Sequence, residues 1–245
     1  INDNVYLDQL KDGEIFYSSY EGESRLGSGN SVDLHTSYPL ASMTKPLIST
    51  AIMRLVEEDK LSLDSKLSEF YPQFANMFVA PGGSLEQLEE ANREITILDL
   101  MTHTSGLTYS SYVTGVGDVA ELYDEFNLID RCMSRDENME LLAQIPLIAQ
   151  PGTEWNYSVG IDVLGAVIEV VTGKTVGEYI DEVILTPLQM NQAGFTLPAD
   201  ILAEDWAMIY GIPSADNPAI GQIDGSSISW KTPFDGDYTT LTNKP

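Results

Sequence analysis

Two strand-like runs, VYLDQL and EIFYSSYEG, mix branched and aromatic residues with polar ones on either side of Lys11-Asp12-Gly13. An Asp-Gly pair between such runs favours a tight turn with positive φ, so the pattern predicts a β-hairpin. After Ser42 the period changes. Leu47, Ile48, Ala51, Ile52, Leu55 and Val56 recur at helical spacing over about three turns. Because these residues occupy neighbouring faces, the helix is expected to be buried on most sides. Pro46 is tolerated only near a first turn, so the helix should begin at or just after Ser42.

From about residue 63 to 205 the signals are mostly helical. Ser84 with Gln87 and Thr175 with Glu178 fit capping boxes. The run IDVLGAVIEVVTG reads as a helix ended by Gly173, and Pro146, Pro151 and Pro187 punctuate the segment. The last forty or so residues are rich in Gly, Pro, Asp and Ser, with no helical pattern, and no internal repeat is visible. Strands first, helices in the middle and an irregular return predict a helical domain inserted into an α/β one. The expected division is 1–62 for the start of the α/β domain, 63–205 for the helical part and 206–245 for the return segment.

Charge narrows the range of partners. The 245 residues carry 12 Lys+Arg against 38 Asp+Glu, a formal net charge of -26. Nucleic acid and anionic membrane surfaces would be repelled. The acidic residues are spread along the chain, which reads as a solvated surface. A single cysteine, Cys132, rules out an intramolecular disulfide, and nothing near it resembles a metal cluster. No apolar run reaches the roughly 18 residues of a membrane span, and no signal peptide is visible. The chain opens at Ile1 rather than Met, so a missing upstream segment is expected and localisation is unreadable.

The candidate chemistry starts at ASMTKPLIST, residues 41 to 50, where Ser42 and Lys45 form the one Ser-x-x-Lys of the chain. At the mouth of a helix, Ser42 would have unpaired backbone N–H groups and the positive end of the helix dipole beside its hydroxyl. One such N–H can form half of an oxyanion hole. Lys45 would lie on the same face one turn later. Its neighbours Met43, Pro46 and Leu47 would partly desolvate the amine and favour the neutral base, one way to activate a serine. The tetrapeptide alone fits a serine N-cap followed by a surface lysine better than an armed nucleophile.

Further motifs change that balance. SMTK, LMTHTSGL (residues 100 to 107), PGTEWNYS and ILTPLQM occur in this order along the chain. Together they resemble the serine β-lactamase and penicillin-binding-protein superfamily, and within it most closely the class C-type family VIII carboxylesterases. Ser-x-x-Lys is a known signature of that superfamily. The resemblance covers nearly the whole chain. It implies a β-lactamase-like fold: an antiparallel sheet flanked by helices, with an inserted helical domain. By matching motif, Ser42 is implied as the acylated nucleophile, Lys45 as its activating partner and Tyr157 as the second-motif tyrosine, whose phenol relays protons. No cofactor is implied.

One position departs from the superfamily pattern. β-Lactamases and transpeptidases usually carry asparagine at the third position of the tyrosine motif, and here it is Val159. The substitution suits an ester with an apolar acyl group. Tyr109, Tyr112, Trp155 and Trp230 are candidates for lining an acyl pocket, with Val159 beside them. His103-Thr104-Ser105-Gly106 precedes the tyrosine and is read as a structural loop. Gly173-Lys174-Thr175 lacks the earlier glycine of a phosphate-binding loop. Lys231-Thr232-Pro233 resembles Lys-Thr-Gly, but proline is unsuited to the interior strand that this motif occupies. With His35 and His103 unpaired in the sequence, a Ser-His-Asp triad has little support.

The expected activity is cleavage of a small-molecule carboxylic ester through an acyl-enzyme on Ser42. A β-lactamase or D-alanyl-D-alanine peptidase is the alternative enzyme. A penicillin-binding sensor or an inert relative is the alternative of another class. The superfamily's third motif (Lys-Thr-Gly, His-x-Gly or Trp-x-Gly) has no acceptable match after Tyr157. The sheet and the site are therefore expected to be completed by a C-terminal segment of the same precursor.

Overall fold

A computed structural model describes residues 5–195, apart from 26, 39, 112, 116, 127 and 129–132, together with residue 207. Two compact units are present, one containing Ile1–Ala41 and the other Ser42–Phe195. Tyr112, Cys132, Trp230, Lys231-Thr232-Pro233 and the return segment 206–245, apart from Ala207, lie outside the described residues.

In the first unit, β1 (Val5–Lys11) pairs antiparallel with β2 (Glu14–Glu21) as the turn chemistry predicts. Asp12 (φ 53) and Gly13 (φ 83) both take positive φ, the requirement of a type I′ turn. The register runs Lys11↔Glu14 and Leu10↔Ile15, then shifts so that Gln9 faces Tyr17, which makes a bulge at Phe16.

The second unit begins at the candidate nucleophile. A 3₁₀ turn over Ala41–Met43 leads into α1 (Thr44–Glu57), so the helix starts where the sequence places it. Pro46 is the third residue of α1, where its missing N–H would have had no intrahelical partner. The helix is not buried on most sides. Its buried residues, Thr44, Ile48, Ala51, Ile52 and Leu55, form one stripe. Met53 is exposed, and Arg54 on the outer side pairs with Glu57 and Glu58. The polar positions between the apolar ones make α1 amphipathic.

Residues 58–96 are less helical than their composition suggests. Pro72 and Pro81 each open a 3₁₀ turn. Between them and beyond, β3 (Phe78–Val79) pairs with β4 (Glu89–Glu90), and Val79 also bridges to Leu147. The expected helix start at Ser84 does not form. Ser84 is extended, its hydroxyl accepts the Glu86 N–H, and the Leu85 N–H donates to Asp118 Oδ2 at 3.0 Å. That bond spans 33 residues, and a local capping pattern contains no trace of it.

The remaining α-helices among the described residues are α2 (Ile97–Met101), α3 (Gly117–Glu125), α4 (Arg135–Leu142), α5 (Gly160–Thr172) and α6 (Val176–Ile180), the last continuing into a π-helical turn over Asp181–Leu185. The Thr175–Glu178 capping box is present at α6, and Thr96–Asp99 and Ser134–Glu137 cap α2 and α4 in the same way. α5 ends at Gly173 in the left-handed conformation (φ 68). It is also the central helix: Gly160 through Ile168 are all buried, and α1, α2 and α6 pack around it. Ile52, Leu55, Leu100, Leu147 and Leu164 are fully buried in this core. The buried stripe of α1 and the start of α5 thereby fix the two segments that carry Ser42 and Tyr157.

Candidate active site

Ser42 sits in the 3₁₀ turn at the mouth of α1, with an exposed side chain. The preceding residue, Ala41, has φ 45, a left-handed conformation that costs a non-glycine residue about 1–3 kcal/mol. Lys45 reaches back along the same helix face, and its Nζ lies 3.5 Å from Ser42 Oγ. The third group comes from far along the chain. The Tyr157 hydroxyl donates to Ser42 Oγ at 2.7 Å. Lys45 Nζ lies 5.0 Å from the centre of the Tyr157 ring and 5.7 Å from that of Tyr109, within cation–π range of both.

Tyr157 is delivered by a loop laid along residues 103–109. The Gly152 N–H donates to the Thr104 carbonyl, the Asn156 N–H to that of His103 and the Val159 N–H to that of Thr108. Asn156 Nδ2 adds a bond to the Leu107 carbonyl at 2.9 Å. The two strips approach closely at Gly106 (φ 83), where a Cβ would stand 2.3 Å from the Ala149 carbonyl oxygen. Only glycine fits there. The LMTHTSGL segment is thus the support for the tyrosine loop. Below it, Arg93 forks onto both oxygens of the buried Asp99 carboxylate at 2.6 and 2.8 Å. Burial acts to raise the Asp99 pKa, but the Arg93 and Thr96 bonds outweigh it and hold the carboxyl below its usual range.

Of the proposed lining residues, Tyr109 is buried, tilts against Tyr157 with 5.4 Å between ring centres, and donates its hydroxyl to Asp162. Trp155 is exposed and stands edge-on to the His103 ring. Val159 is 3% exposed, belongs to the same hydrophobic core as Tyr109 and serves as the N-cap of α5. Its apolar character matches the core, a sufficient reason for valine at that position. Tyr112 lies outside the described residues.

Sequence reasoning missed one neighbour of the tyrosine. His103 packs its ring 4.9 Å from that of Tyr157 and engages Ser158 through Nδ1. Burial first, and the Lys45 charge second, push its pKa below the ordinary histidine value. The positive φ of His103 (57) follows from the tight exit from α2, a signal that no single-residue propensity carries.

Chemically, this arrangement places an exposed hydroxyl beside an amine and a phenol, the groups that serine-based proton transfer requires. The family model described as Beta-lactamase matches residues 5–229. Esterase EstB of Burkholderia gladioli is 36% identical over 187 residues, which cover 75% of this chain and 44% of that protein. Lovastatin esterase of Penicillium rubens is 31% identical over 203 residues, 80% of this chain and 49% of that protein. Among solved structures, EstCE1, "a hydrolase with promiscuous acyltransferase activity", matches with a TM-score of 0.69 at 30% identity, covering 83% of this chain and 50% of that one. The chain therefore spans about half the length of these relatives, and it shares their β-lactamase-like fold. No helix among the described residues is long and apolar enough to cross a membrane. With its Ser-x-x-Lys pair joined to a distant tyrosine and a family match over most of its length, the chain belongs to the Beta-lactamase family.

Proposed function

We propose that this chain carries the nucleophile and proton-transfer groups of a serine hydrolase that cleaves carboxylic esters. The observation that supports it best is the placement of Ser42 Oγ, 2.7 Å from the Tyr157 hydroxyl and 3.5 Å from Lys45 Nζ. In the first step Ser42 Oγ attacks the ester carbonyl and forms the new C–O bond. Its proton passes to the pair formed by Lys45 and Tyr157. Collapse of the tetrahedral intermediate breaks the bond to the alcohol, whose oxygen takes that proton, and leaves an acyl group on Ser42. Water then attacks the acyl carbonyl and gives its proton to the same pair; cleavage of the bond to Ser42 Oγ releases the acid, and the serine oxygen takes that proton back. N–H groups at the start of α1 are suited to the developing oxyanion.

Esters are preferred over β-lactams in this reading because two relatives are named as esterases. Tyr109 and Trp155 are proposed to bound the acyl group. A further segment of the same precursor is proposed to complete the site, in keeping with the length of the relatives. The test is turnover of p-nitrophenyl butyrate and nitrocefin, with intact-protein mass spectrometry alongside. Rapid ester turnover with transient acylation supports the reading. Stable acylation without turnover would make the protein a sensor, and efficient nitrocefin hydrolysis would make it a β-lactamase.

A further inference from the structure

His103 holds the peptide on both sides of Tyr157. Its main-chain carbonyl accepts the Asn156 N–H at 2.8 Å. Its Nδ1 accepts the Ser158 N–H at 3.2 Å. Between these two anchors the imidazole lies against the phenol ring, with 4.9 Å between centres and a 45° tilt. Trp155 closes on the imidazole edge-on, at 6.2 Å. A backbone N–H can only donate, so Nδ1 must present a lone pair. The ring is then neutral, with its proton on Nε2. The Ser158 hydroxyl, 3.3 Å from the same nitrogen, is fully buried and also accepts the Gly160 N–H, so it ties this junction to the first turn of α5.

We infer that His103, as the neutral Nε2–H tautomer, is a positioning residue that holds the Tyr157 phenol against Ser42. The inference rests on the role proposed above for Tyr157. Protonation of Nδ1 would set one N–H against another and release the anchor at the Ser158 N–H, leaving Nδ1–H only the Ser158 hydroxyl oxygen at 3.3 Å, while the carbonyl anchor at Asn156 would remain. The tyrosine would stay in the loop but lose its fixed approach to Ser42. Among the described residues, two groups with a charge or a titratable proton face the ring: the Lys45 side chain from α1 and the Tyr157 phenol from the loop. Burial of the ring and the Lys45 charge both favour the neutral form. The grip is therefore complete above the ordinary histidine pKa and is lost only as pH falls through the lowered value.

The test compares p-nitrophenyl butyrate kinetics of the parent protein, His103→Ala, His103→Asn and Tyr157→Phe between about pH 5 and 8. Asparagine tolerates positive φ, offers an oxygen near the place of Nδ1 and does not titrate. In His103→Ala, kcat should fall about 10- to 100-fold with KM little changed, the scale expected for a misplaced reacting group. In His103→Asn, kcat should return to within about 3-fold of the parent, and the decline of kcat on the acid side should move or disappear. Parent-like kcat in His103→Ala overturns the inference, as does a His103→Asn variant as impaired as alanine or with an unchanged acid limb. If Tyr157→Phe itself turns over normally, the role of the tyrosine fails, and this inference fails with it. An impaired Tyr157→Phe beside an unimpaired His103→Ala removes the histidine alone.

Discussion

The Tyr157 hydroxyl meets Ser42 Oγ at 2.7 Å across 115 residues of chain, while Lys45, the other polar neighbour of that oxygen, is three residues away. One contact is a consequence of helix geometry. The other exists only because α5 packs beneath α1 and the 103–109 strip carries the tyrosine loop to its place.

If Ser42 is the nucleophile, a fluorophosphonate should label it and leave Ser105 and Ser158, both fully buried, untouched. Ser42→Ala should lower ester turnover by at least about three orders of magnitude. Peptide mapping of the labelled protein is the check, and label on another serine would refute the assignment.

If Lys45 and Tyr157 act on one proton, their losses should not add. Lys45→Ala and Tyr157→Phe should each reduce kcat by about 100-fold or more, with the double variant little worse than either. A double-mutant cycle in kcat measures this directly. Strictly multiplicative effects would mean that the two groups work independently.

The Arg93–Asp99 fork should make stability fall in acid. The Asp99 carboxyl titrates below its ordinary 3.8 in the folded protein. On acidification the unfolded chain therefore binds that proton first. The contribution is complete above the ordinary value and is lost as pH drops through the folded-state pKa. Asp99→Asn should cost about 1–3 kcal/mol near neutrality and flatten the acid limb of stability, as measured by urea unfolding at several pH values.

Val159→Asn installs the residue that β-lactamases usually carry at this point of the motif. Because Val159 is buried in the core, the amide would have to find partners among apolar neighbours. A loss of about 1–3 kcal/mol in unfolding free energy is expected, with no gain in nitrocefin hydrolysis. Unchanged stability together with new β-lactam turnover would show that the side chain faces the site after all.

What the sequence determined by itself is what short-range physics can encode. The Asp12-Gly13 turn, the start of α1 near Ser42, the left-handed stop at Gly173 and the Thr175–Glu178 capping box each depend on a few adjacent residues. The approach of Lys45 to Ser42 is of the same kind, since three residues on a helix return to one face. The motif order pointed to Tyr157 through resemblance, but nothing local to PGTEWNYS sets its distance from Ser42. Tertiary structure decided the rest. It turned Ser84 away from a helix by offering the Leu85 N–H a carboxylate 33 residues on. It put Val159 into the core and placed His103 against Tyr157. Each of these outcomes depends on hydrogen bonds and buried contacts between segments far apart in the chain, whose free energies exceed local preference and leave no periodic mark in the sequence.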